Sequence, residues 1–258
     1  MILGILGVGH LAATLVAGFL RSGLDPQALL LSPRGKARDL SARHGIPLAA
    51  DNADLVARSS IVILTTRPAD APAAVAGLPW REGQIVISAC AGVPLSRLAV
   101  QPAQGVRAMP LTAAEIGASP TVCFPPLQEA VAVLERLGPV IPLGGEDEFE
   151  AATVNAAVYG WALSLIRRSA EWMAGKGPDA QAMRKLAALT FTAAGRMIVE
   201  KQEPMEDLLG ELVTPGGITE LGLGVLAEGG VPECWDAASQ AVYDRLMARN
   251  AQPRGEGG

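Results

Sequence analysis

A chain of 258 residues, half of them apolar, can bury a full hydrophobic core without covalent staples. Its net charge of −5, with the cations scattered, argues against nucleic acid or an anionic membrane as principal partner and favours a small molecule. Cys90, Cys123 and Cys234 are widely separated and form no CxxC, so neither a disulfide framework nor a zinc cage is expected, and a reducing, cytoplasmic setting is.

Met1 to Leu20 carries no Lys, Arg, Asp or Glu and has the look of a signal peptide or membrane span. No basic segment precedes it, however, and four glycines and His10 interrupt it, so it is expected inside the fold. From Met1 to about Gly145, short runs of Val, Ile and Leu alternate with helix-like stretches, the pattern of a parallel sheet covered on both faces. The clearest strands are Ile2 to Leu6, Ala28 to Leu31, Ile61 to Leu64 and Ile85 to Ser88; Val106 to Met109, Thr121 to Cys123 and Val140 to Leu143 are weaker. Leu11 to Ser22 and Gly35 to His44 read as crossover helices. Beyond Gly145, apolar residues recur at three and four positions, and Pro and Gly divide the stretch into helices. These are Glu146 to Ala174, Pro178 to Lys201, Pro204 to Leu212, Thr219 to Glu228 and Pro232 to Arg249. The expected organisation is an α/β Rossmann-type domain over 1–145, an all-α domain over 146–250 and a flexible tail over 251–258.

The first strand runs into Gly7-Val8-Gly9-His10-Leu11-Ala12 and a helix, the GxGxxA dinucleotide fingerprint. Gly7 permits the tight turn, Gly9 lets a pyrophosphate reach the backbone, and Ala12 keeps helix and strand close. An acid at the end of the second strand would select NAD; here Leu31-Ser32-Pro33-Arg34-Gly35-Lys36 offers a hydroxyl and two cations. NADP(H) is therefore expected, with Arg34 on the 2′-phosphate, against the alternative that these cations merely start a solvated helix.

Further motifs follow in order: Asp51-Asn52, Thr65-Thr66-Arg67-Pro68, Ser88-Ala89-Cys90-Ala91-Gly92, Arg107-Ala108-Met109-Pro110 and Val213-Thr214-Pro215-Gly216-Gly217-Ile218-Thr219. With the glycine turn and Ser32-Pro33-Arg34, they make the chain resemble the Δ1-pyrroline-5-carboxylate reductase family over nearly its whole length, to about Met247. The PGGxT block between two helices is the most specific element. The resemblance implies a Rossmann domain, a helical dimerisation and substrate domain, an interlocked homodimer or an assembly of dimers, and NADPH-dependent reduction of a cyclic imine to proline. It implies coenzyme contacts at Leu6, Gly7, Val8, Gly9, His10 and Leu11, at Ser32, Arg34 and Asn52, at Thr65, Thr66, Arg67 and Pro68, and at Ala89, Cys90 and Ala91. It also implies a substrate loop of Gly216, Gly217 and Thr219, with the Thr219 hydroxyl as proton donor to the ring nitrogen.

The chain departs from the family pattern in four places. AVKP is Thr65-Thr66-Arg67-Pro68, MPN is Met109-Pro110-Leu111, and VTSPGGTT is one residue shorter between Thr214 and Pro215. A GSGPAY-like segment reads Asn155-Ala156-Ala157-Val158-Tyr159-Gly160-Trp161. Substrate identity thus stays open between pyrroline-5-carboxylate and another imine, and a silent NADP-binding regulator is the alternative of another class.

The residues read by themselves agree in outline. With only His10 and His44 and no HExxH or GxSxG, metal hydrolysis and acyl transfer have no visible machinery. Hydride transfer to a cyclic imine mainly needs orientation, which a hydroxyl and amides binding an anionic group supply. Pro215-Gly216-Gly217 leading into a helix suits a carboxylate; the competing reading makes Thr219 a simple N-cap. Glu146, Asp147, Glu148 and Glu150 read as a solvated helix start, and Tyr159, Trp161 and Trp172 as core or dimer interface.

Overall fold

The computed structural model describes residues 1–250; the tail expected over 251–258 lies outside the described residues. The chain forms two compact units, one made of Met1–Ala156 and the chain from Tyr243 onward, the other of Ala157–Val242.

In the first unit, seven strands among the described residues form one sheet in the order β2-β1-β3-β4-β5-β6-β7. They are β1 (Leu3–Leu6), β2 (Leu29–Leu31), β3 (Ile61–Leu64), β4 (Ile85–Ser88), β5 (Gln104–Met109), β6 (Thr121–Phe124) and β7 (Val140–Pro142). Every one falls on an expected apolar run. β1 to β4 are buried along their whole length, which is why they read as continuous Val, Ile and Leu rather than as alternation.

From β2 to β5 the sheet is parallel as expected, but β6 runs antiparallel to β5, pairing Arg107 with Phe124 and Met109 with Val122. Residues 110–120 between them carry only a 3-10 turn at Thr112–Ile116. So short a link cannot cover a sheet face and return, so the chain reverses direction.

Helices α1 (His10–Arg21), α2 (Ala37–His44), α3 (Asn52–Arg58), α4 (Ala71–Val75) and α5 (Gln128–Leu134) cover the sheet. One face packs Leu15, Phe19 and Leu137 against Ile5, Leu31 and Ile87; the other packs Leu55, Val75 and Trp80 against Leu6, Leu64 and Val86. Each fully buried Leu, Ile or Phe contributes about 1.5–3 kcal/mol. The apolar start of the chain is thereby accounted for: β1 lies between β2 and β3, and Leu15, Val16 and Phe19 of α1 are fully buried. Among the described residues no helix is long and apolar enough to cross a membrane.

The expected single helix from Glu146 to Ala174 is two, α6 (Glu146–Thr153) and α7 (Asn155–Ala174). The Thr153 hydroxyl bonds back to the Phe149 carbonyl at 2.8 Å, and Val154 N–H turns to Ala151, a local 3-10 geometry that interrupts the helix. After α7 come α8 (Ala180–Glu200), α9 (Met205–Gly210), α10 (Ile218–Glu228) and α11 (Val231–Asn250). Asp179 caps α8 by accepting the Ala182 amide at 2.8 Å.

The second unit buries almost nothing of its own: of residues 157–242, only Ala170 and Ala187 are buried. Ile218, Val199 and Leu221 are 91%, 86% and 70% exposed. Helices this apolar and this exposed need a further surface to pack against.

Candidate active site

At the carboxyl edge of the first unit's sheet, Leu6, Gly7, Ser32, Arg34, Asn52 and Thr66 line one cleft of about 380 Å³. Six residues expected to hold the coenzyme are thus brought together. Gly7 has φ +93°, which a side-chain-bearing residue rarely adopts, and an added Cβ would strike Thr66 at 2.6 Å. At Gly9 an added Cβ would meet nothing within 4 Å, so the turn is open where a pyrophosphate approaches. α1 begins at His10 with no acid in its first turn, so its positive end is not neutralised by the chain.

Neighbouring strands brace the turn. The buried Ser32 hydroxyl accepts the Gly7 amide at 3.0 Å, and the Thr65 hydroxyl donates to the Gly7 carbonyl at 2.7 Å. Arg34 stands exposed on the cleft wall, free to face a phosphate. Val8 points into the core, so its side chain is structural, while His10 is exposed and Leu11 half-buried.

Other expected contacts lie elsewhere. Arg67 pairs with Asp70 at 2.9 Å and, with Pro68, lines a neighbouring hollow beside Gly92, Arg97 and Arg249. Cys90, next to Ala89 and Ala91 after β4, is buried with its sulfur 3.8 Å from the Thr66 hydroxyl, and burial pushes its thiol pKa up. It is an inert packing group. Sequence reasoning missed Asp70, Ala73 and Ala74, which complete the cleft wall. Pro68 and Pro72, both first-turn prolines of short helical segments, were the available signal.

The loop expected to hold substrate lies in the second unit. Gly216 has φ +72°, and Gly217 N–H closes the turn onto the Thr214 carbonyl at 2.8 Å. α10 starts at Ile218 with Gly217 as its N-cap, one residue earlier than expected. Thr219 is therefore inside the first turn and caps nothing; its half-buried hydroxyl has no hydrogen-bond partner among the described residues. The Gly216 amide donates to Glu220 Oε2 at 2.7 Å. The chain's own carboxylate thus already sits on a donor expected for an anionic substrate group. Trp161 packs edge-on to Trp235, ring centroids 5.3 Å apart, within this unit.

The acidic start of α6 is not the solvated run it was expected to be. Glu150 is buried against Arg107, which also reaches Glu146 at 3.2 Å. Only Asp147 and Glu148 keep the solvated role, Glu148 accepting the Gly144 amide at 2.9 Å.

A parallel α/β sheet with an open glycine turn at a helix N-terminus and a cationic, acid-free end to its second strand defines a Rossmann-type oxidoreductase that uses NADP. Residues 2–92 match the family described as NADP oxidoreductase, coenzyme F420-dependent, and residues 146–248 match pyrroline-5-carboxylate reductase dimerisation. Among curated relatives, pyrroline-5-carboxylate reductase 1 of Bacillus spizizenii is 29% identical over 92% of this chain and 84% of the relative. Pyrroline-5-carboxylate reductase of Mycobacterium tuberculosis is 26% identical over 94% and 95%. The fold matches Plasmodium falciparum pyrroline carboxylate reductase with NADP bound at a TM-score of 0.86, with 18% identity over 97% of this chain and 98% of the other. It matches the Streptococcus pyogenes 1-pyrroline-5-carboxylate reductase at 0.84, with 23% identity over 96% and 98%. Over nearly its whole length the chain is thus similar to pyrroline-5-carboxylate reductases.

Proposed function

We propose that this protein reduces 1-pyrroline-5-carboxylate to proline with NADPH, as a homodimer or an assembly of dimers in the cytoplasm. The match of residues 146–248 carries this reading, because that segment holds the Pro215-Gly216-Gly217-Ile218-Thr219 loop. The coenzyme supplies a hydride to the imine carbon. Gly9 and the first turn of α1 hold its pyrophosphate, and Ser32, Arg34 and Asn52 hold its 2′-phosphoribose. The Thr219 hydroxyl holds the proton at the ring nitrogen, and the Gly216 amide takes the substrate carboxylate once Glu220 yields it.

Dimer formation is supported by the exposed apolar faces of the second unit. A cytoplasmic site is supported by three free cysteines, and a small-molecule rather than nucleic-acid partner by the scattered cations of an acidic chain. The test is oxidation of NADPH by the purified protein against a panel of cyclic imines with and without a ring carboxylate. Formation of proline from pyrroline-5-carboxylate is the expected result; turnover confined to imines lacking the carboxylate refutes it.

A further inference from the structure

Arg107 on β5 is the largest fully buried side chain among the described residues. Its guanidinium lies 4.4 Å over the Phe149 ring and pairs with two of the carboxylates of α6, Glu146 and Glu150. Glu146 Oε1 also accepts the Leu95 amide at 3.0 Å. Glu150 Oε1 accepts from Asn250 Nδ2 at 2.9 Å, and Arg97 Nη1 donates to the Arg249 carbonyl at 2.9 Å. One buried arginine on the sheet thus anchors α6, just before the chain leaves the first unit after Ala156, and the last turn of α11, just after it returns at Tyr243. All of these contacts lie inside the first unit.

We propose that Arg107, Glu150 and Asn250 form a clasp that fixes both passages of the chain between its two units, and that they are positioning residues for the reductase reaction. An apolar contact at this place would tolerate slippage. A buried carboxylate does not, since a shift that separates it from Arg107 strands an uncompensated charge in the core. Arg107 Nε and Nη2, Glu150 Oε2 and Asn250 Oδ1 are buried without a hydrogen-bond partner among the described residues.

The catalytic part of this inference rests on the function proposed above. It is tested on the full chain with two variants. Asn250→Ala opens the α11 side alone. Arg107→Met combined with Glu150→Leu removes the charges together, which avoids the unpaired carboxylate that a single substitution leaves in the core. Hydrogen exchange at residues 153–158 and 240–250 is expected to quicken about tenfold or more in the double variant, with α1 and β1 to β4 unchanged. In Asn250→Ala it should quicken at 240–250 only. NADPH affinity should stay within about twofold, while kcat/KM for the imine falls about tenfold. Wild-type exchange at both segments in the folded double variant overturns the clasp. Altered exchange with unchanged kcat/KM overturns the positioning role. The exchange measurement needs no substrate, so it decides the clasp even if the wild type yields no proline.

Discussion

Thr219 and Glu220 are neighbours in the first turn of α10 with opposite effects on an anionic imine. Because Gly217, not Thr219, is the N-cap, Thr219→Val should leave the melting temperature unchanged and lower turnover about tenfold to a thousandfold, the range for losing one positioned donor. Thr219→Ser should restore most of it. NADPH affinity should be the same in all three proteins, and normal turnover in the valine variant would refute the role. Glu220 competes for the Gly216 amide, so Glu220→Ala should lower KM for a carboxylate-bearing imine about threefold to fivefold, the size of one modest hydrogen bond, with kcat little changed. Steady-state kinetics that leave KM at its wild-type value would show the contact to be a helix cap only. Cys123 offers a test by pH: burial raises its thiol from 9.0 to about 11. The folded state then favours the protonated thiol, so its contribution is fully present below pH about 9 and is lost as pH rises towards about 11. Melting scans across that window should fall more steeply for the wild type than for Cys123→Ala.

At the scale of elements, coenzyme choice resides in the turn from β2 to α2. Ser32 is pinned to Gly7 and Arg34 stands free on the cleft wall, so NADPH should bind at least about tenfold tighter than NADH, a difference of about 1.4 kcal/mol. Arg34→Asp should reverse the order, because a carboxylate repels the 2′-phosphate and accepts from a ribose hydroxyl; equal affinities in the wild type by fluorescence titration would refute the assignment. This element was legible in the sequence because its chemistry is local: a glycine turn, a strand end and a missing acid within some thirty residues. The strands were legible for a similar reason, since burial on both faces leaves unbroken apolar runs. Helices α3, α4 and α5, of seven, five and seven residues, span too few turns for a 3.6-residue period to emerge and were not predicted. The reversal at β6 was hidden because strand direction depends on the connection, and the apolar run of a parallel strand looks the same as that of an antiparallel one. Glu150 was misread for a deeper reason. An acid in the first turns of a helix usually complements the dipole in solvent, and only the partner on a distant strand, Arg107, turns it inward.

At the scale of the whole molecule, the helical second unit has its apolar faces outward and scarcely any core, so folding and assembly should be one event. Sedimentation should show no stable folded monomer at micromolar concentration, and the melting temperature should rise with protein concentration; a concentration-independent melt of a monomer would contradict this. The discontinuous first unit carries a further consequence, for biosynthesis. Its sheet is complete by residue 142, yet its last helical turn, with Leu246, Arg249 and Asn250, comes from residues 243–250. A ribosome therefore releases the dinucleotide-binding half roofless: the partner of Arg97 emerges 152 residues after it, and the partner of Glu150 emerges 100 residues after it, once all of the helical half has been made. At about 5–20 residues per second, that interval lasts about 5–20 seconds. A nascent chain arrested at residue 200 should accordingly expose the Arg107 region to a protease that cannot reach it once residues 243–250 have been added, which places this closing step of folding after synthesis of the helical half.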